Sequence, residues 1–69
     1  MADDFRISLA AARVNAKLTQ KEAAETIGVS NATLIKWESG ETVPTADRAE
    51  QLSKLYRCPL NRIDFCRKS

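Results

Sequence analysis

Apolar residues recur at helical spacing in five stretches of the chain, each bounded by residues that start or stop a helix. Phe5, Leu9, Ala12 and Ala16 share one stripe over residues 5–16, and Arg6, Arg13 and Lys17 lie elsewhere on that surface. Asp3 and Asp4 precede it, the favourable sign for the positive end of the peptide dipoles. Asn15 to Leu18 is the expected exit, with Leu18 under the next helix. Thr19 is placed to cap a second helix, and Glu22, three residues on, completes a capping box. Ala23, Ala24 and Ile27 form its apolar stripe, and Gly28 stops it, glycine being the residue that enters a left-handed conformation without steric cost.

Val29 then points into the core, and Ser30 caps a third helix whose Leu34 and Trp37 lie on one face. Asn31, Ala32, Thr33, Ile35 and Lys36 share its remaining surface, and Ser39-Gly40 ends it. Pro44 restricts Val43 to extended conformations, so Glu41 to Pro44 is a loop. Thr45 caps a fourth helix with Asp47 in its first turn, an apolar stripe of Ala46, Ala49, Leu52, Leu55 and Tyr56, and Lys54 and Arg57 at its end. Pro59 suits the start of a last short helix running to about Phe65, with Leu60 and Ile63 as core residues. Cys58 is read as a small buried hydrophobe and Arg67 to Ser69 as a frayed tail.

These segments predict an all-α fold of five helices in one compact domain over residues 1–69, with a core from about 5 to 65. Only two glycines, two prolines and no β-branched run interrupt the helical pattern. At 69 residues the chain buries a limited core and depends on close helix packing or a partner. Two cysteines and no histidine argue against a metal site, and Cys58 and Cys66 are expected as reduced thiols. No apolar run reaches membrane-spanning length, and Met1-Ala-Asp-Asp has neither the basic start nor the hydrophobic centre of a signal peptide. A soluble, cytoplasmic protein without cofactor or small-molecule ligand is expected. Enzymatic chemistry is disfavoured, because histidine, a glycine-rich phosphate cradle and paired carboxylates in a cleft are all missing from the sequence. A net charge of +2 argues against a purely electrostatic nucleic-acid coat and leaves site-selective DNA binding open.

The second and third helices, joined by a glycine turn, have the form of a pair that lays its second member in the major groove. The stretch LTQKEAAETIGVSNATLIKWESG resembles the helix-turn-helix of the lambda repressor and Cro family, of the XRE type. Gln20, Ala24, Gly28, Leu34, Glu38 and Gly40 fill that family's pattern in order, and a looser likeness runs from about Phe5 to about Phe65. The resemblance implies a five-helix domain that binds an operator in double-stranded DNA, as a homodimer, through the third helix. Arg57 departs from the pattern, since glycine is usual there, which puts a strained backbone at that position.

Residue chemistry and resemblance agree on the third helix, whose Asn31, Ala32, Thr33 and Lys36 are the expected base contacts, Thr33 being able to bond a base or a phosphate. Asparagine pairs with adenine N6 and N7, lysine with guanine O6 and N7, and a small methyl suits thymine. Ile35 has two places open to it, against a thymine methyl or tucked against Lys17 or the following loop. Backbone contacts are expected from Gln20, Arg13, Lys17, Ser30, Ser39 and Thr42, whereas Thr45 is better explained as a helix cap. The resemblance further implies that Arg13 pairs with Glu38 while reaching a phosphate, and that Gln20 braces Asn31 and bonds a phosphate. An isolated Arg13 would otherwise be a solvated helix arginine. The segment around Arg57, Pro59 and the final helix is where the family often dimerises. The competing expectation is an antitoxin-like or adaptor module with the same fold and no operator of its own. Polar and basic residues on the exposed face favour DNA, and Ile35 favours a partner protein.

Overall fold

The computed structural model describes residues 6–65. In chain order they form β1 (Ile7–Ser8), α1 (Leu9–Asn15), α2 (Gln20–Ile27), α3 (Asn31–Ser39), α4 (Ala46–Tyr56), a 3-10 turn (Leu60–Arg62) and β2 (Ile63–Asp64). The fold is mostly helical and compact, with a radius of gyration of 11.3 Å. Four α-helices are present among the described residues, and the expected fifth is replaced by the 3-10 turn and a parallel pairing of Ile7 with Ile63 and Ser8 with Asp64. The cause is local. Arg62 N–H donates to the Pro59 carbonyl (2.9 Å) and Ile63 N–H to the Leu60 carbonyl, each three residues back, after which Ile63 turns extended at φ −102°. β-Branched Ile63 is favoured in that conformation and buries itself by taking it.

The same pairing shortens the first helix. Ser8 caps it by accepting the Ala11 N–H at 3.0 Å, so α1 begins at Leu9. The expected contributions of Asp3, Asp4, Phe5, Cys66 and the tail lie outside the described residues. Leu60, expected inside, is 44% exposed because the 3-10 turn points it outward, and Ala46 is likewise exposed.

Leu9 and Ala12 of α1, Ala23, Ala24 and Ile27 of α2, Leu34 of α3, Leu52 and Tyr56 of α4, and Ile63 form the core. Trp37, Leu18, Val29, Leu55 and Cys58 pack at its margin. The alanines let α2 approach both α3 and α4 closely, and α1 closes the other side against α3 and α4. Arg48 of α4 ties this packing to the turn: its Nη1 donates to the Ile27 carbonyl at 2.7 Å, immediately before Gly28. None of the helices in the described residues is long and apolar enough to cross a membrane.

All four helices end alike. A left-handed residue (Lys17, Gly28, Gly40 or Arg57) follows the last turn. The next N–H then reaches back five residues, from Leu18 to Arg13 (3.3 Å), Val29 to Ala24 (3.0 Å), Glu41 to Lys36 (3.0 Å) and Cys58 to Ser53 (3.0 Å). The two glycines take this conformation freely. Arg57 (φ 55°) and Lys17 (φ 62°) do not, and Lys17 is a second strained position that the sequence pattern did not disclose. Left-handed backbone costs an ordinary residue about 1–2 kcal/mol. Because glycine gives back part of that through its larger loss of freedom on folding, Lys17→Gly and Arg57→Gly are each expected to stabilise by roughly 0.5–1 kcal/mol. Thermal unfolding checks this, and a lowered midpoint for either variant would contradict it.

Candidate nucleic-acid interface

The glycine turn sets α3 across α2, and its caps follow from the sequence. Thr19 accepts the Glu22 N–H (3.0 Å) while Glu22 accepts the Thr19 N–H (2.9 Å), closing the capping box of α2. Ser30 accepts the Thr33 N–H (3.1 Å) and shares a hydroxyl hydrogen bond with Thr33 Oγ1 (2.9 Å) at the start of α3. α3 turns Leu34 fully into the core and sets Trp37 and Glu38 beside it. Asn31, Ala32, Ile35, Lys36 and Ser39 are left exposed on the opposite side.

Glu38 is the junction that fixes this orientation. Arg13 Nε donates to Glu38 Oε2 at 2.7 Å, Arg13 Nη2 donates to Oε1 at 3.5 Å, and Gln20 Nε2 donates to Oε1 at 2.9 Å. Arg13 Nη1 meanwhile donates to the Leu18 carbonyl at 2.8 Å. One carboxylate, 8% exposed, thereby joins α1, α2 and α3, and the turn between α1 and α2 is tied in through a guanidinium that is 15% exposed. A charge-assisted pair at this depth is strong because its partners are already desolvated and fixed in plane. It also hides an acidic group that, on the outer face of α3, would repel phosphate.

The core beneath the junction includes Tyr56, whose buried hydroxyl makes no hydrogen bond among the described residues. Burial first, and the negative charge of Glu38 second, push its pKa up to about 12, with Arg13 pulling the other way. Tyr56 therefore stays neutral at any ordinary pH and adds no charge to the network.

The expected site residues separate into two groups. Asn31, Ala32 and Lys36 stand together on the exposed arc of α3, with Lys17 and Thr42 exposed elsewhere. Others are occupied internally. Gln20 does not brace Asn31; its amide is turned inward to Glu38, whose charge is the better acceptor. Arg13 spends three of its donor contacts on Glu38 and Leu18. Thr33 is half-buried and engaged with Ser30, so it sits at the edge of the exposed arc. Ser39 Oγ donates to the Lys36 carbonyl (3.1 Å), and Thr45 accepts the Arg48 N–H (3.4 Å), which makes them a turn residue and a cap. Ile35 is 44% exposed and belongs to the outer arc. Arg48, the brace behind the turn, gave no signal in the sequence, because its partner is a backbone carbonyl 21 residues away.

A family model described as helix-turn-helix matches residues 9–63, from the first residue of α1 to the first of β2. No curated protein and no solved structure matches the chain. The matched span contains the capped α2, the glycine turn, α3 and the junction that holds α3 in place. The chain belongs to the lambda-repressor-like, XRE-type helix-turn-helix family of DNA-binding regulatory domains.

Proposed function

We propose that the protein is a sequence-specific transcriptional regulator of the repressor or Cro kind, which inserts α3 in the major groove of double-stranded DNA. One observation carries this reading. The only acidic residue of α3, Glu38, is turned inward into an ion pair with its side chain 8% exposed, while the outer arc presents the amide of Asn31, the small Ala32 and the ammonium of Lys36. That arc suits a groove lined by donors, acceptors and thymine methyls and flanked by phosphate. Asn31 reads adenine and Lys36 reads guanine in this proposal, and Ala32 permits close approach. Lys17, Thr42 and the first-turn backbone of α2 supply phosphate contacts. A homodimer would place two copies of α3 about 34 Å apart on a two-fold operator. Its interface is proposed around Arg57, Pro59 and the 3-10 turn.

Asn31→Ala and Lys36→Ala are each expected to weaken binding to a preferred duplex by roughly 1–3 kcal/mol, with a smaller loss on an unrelated duplex. Fluorescence-anisotropy titrations of both duplexes at one salt concentration measure the difference. Equal losses on the two would contradict base reading and leave only phosphate attraction.

A further inference from the structure

The outward arc of α3 carries a hydrophobic residue near its middle, and the core does not explain it. With about 3.6 residues per turn, Asn31 and Ile35 lie almost in line along the helix, and Ala32 and Lys36 form the neighbouring line. Ile35 thus falls between Asn31 and Ala32 around the helix, away from the buried side formed by Leu34, Trp37 and Glu38. It keeps 44% of its surface exposed and is not among the residues packed on the core. Helix propensity does not call for it either, since a β-branched side chain loses freedom in a helix.

In the major groove one feature matches an aliphatic side chain: the methyl on C5 of a pyrimidine. The other edge groups that distinguish the base pairs there are hydrogen-bond donors or acceptors. Pressing isoleucine against those strips them of water and offers no partner in return. Ala32, three residues before Ile35, widens the apolar strip on the same arc.

We propose that Ile35 is a specificity-determining residue that recognises a 5-methylpyrimidine, namely thymine in unmodified DNA and 5-methylcytosine where cytosine is methylated. The inference rests on the major-groove reading above. Thymine and 5-methylcytosine differ at position 4, an acceptor in one and a donor in the other, but share the methyl that Ile35 touches. Methylation of cytosine at this one step therefore strengthens binding, and the protein distinguishes methylated from unmethylated copies of a site.

The test begins with a duplex selected by the wild-type protein from a random pool. Each thymine is then replaced singly by deoxyuridine, which lacks only the methyl, and bound by wild type, Ile35→Ala and Ile35→Val. Wild type and Ile35→Val are expected to lose roughly fourfold at one position per half-site, the worth of one methyl removed from water, and Ile35→Ala to lose nothing there. Placing cytosine at that position and then methylating it restores part of the loss for wild type and Ile35→Val, and none for Ile35→Ala. Tolerance of deoxyuridine at every position, or equal losses for wild type and Ile35→Ala, overturns the inference while leaving major-groove reading intact. Failure of the random pool to yield any preferred duplex overturns the reading beneath it as well.

Discussion

Replacing Glu38 with alanine is expected to remove roughly 3–5 kcal/mol of folding stability, more than any other polar substitution in the described residues. The carboxylate accepts from Arg13 Nε at 2.7 Å and from Gln20 Nε2 at 2.9 Å, and its loss strands a guanidinium that is 15% exposed. An uncompensated buried charge costs more than the pair contributes when intact. Glu38→Gln is expected to fall between wild type and alanine, because one amide oxygen still accepts from Arg13 while the amide nitrogen meets the Gln20 donor. A double variant, Arg13→Met with Glu38→Leu, should recover most of the stability by replacing both charges with apolar volume. Urea unfolding followed by circular dichroism measures all three. Small domains have only about 5–15 kcal/mol in total, so Glu38→Ala should unfold substantially at low urea. A loss below 1 kcal/mol would contradict the role given to Glu38. The double variant separates fold from function: it keeps the helices but removes the planar tie that orients α3, so its DNA binding should not recover with its stability.

Leu34→Ala is the second large effect, at roughly 3–5 kcal/mol. Leu34 has no exposed surface and is one of the two largest fully buried side chains, the other being Leu52. It is the side chain by which α3 is anchored to the interior, with α1, α2 and α4 closing around the same core. Truncation removes buried methyl groups and leaves a cavity that the small alanines 23 and 24 cannot fill. The adjacent Ile35→Ala, on the outer arc, should change stability by no more than about 0.5 kcal/mol. Measured side by side in the same denaturant series, the two neighbours report opposite faces of one helix. Comparable losses would mean that the inner and outer faces of α3 are wrongly assigned.

The helix boundaries that depend on local chemistry were legible in the sequence. Thr19, Ser30 and Thr45 cap because a side-chain oxygen two or three residues from a free N–H is a local event, and Gly28 and Gly40 stop helices for a reason contained in one residue. Trp37 at the core margin and buried Leu34 followed from spacing alone. The Arg13–Glu38 contact was reachable only through the resemblance, since nothing in the spacing of residues 25 apart brings them together. What depended on distant partners was missed. Ile63 turns extended because Ile7 lies beside it, and the pairing replaces a fifth helix. Gln20 turns to Glu38 because that carboxylate is already held at α2 by Arg13. Lys17 is left-handed because α1 must reverse within three residues before Thr19 caps α2, a demand of chain path on a residue with no preference for it. For Ile35 the sequence left two places open, and the burial of its neighbours leaves the outer arc of α3.

Recovery of bound sites from a random duplex pool, compared for wild type, Asn31→Ala and Lys36→Ala at two salt concentrations, decides whether the outer arc of α3 reads base sequence. Wild type is expected to enrich a short, two-fold-related motif at both salts, and each variant to relax a different position within it. A pool that stays unenriched while binding fades with added salt would contradict it, since attraction to the phosphate backbone alone behaves in that way.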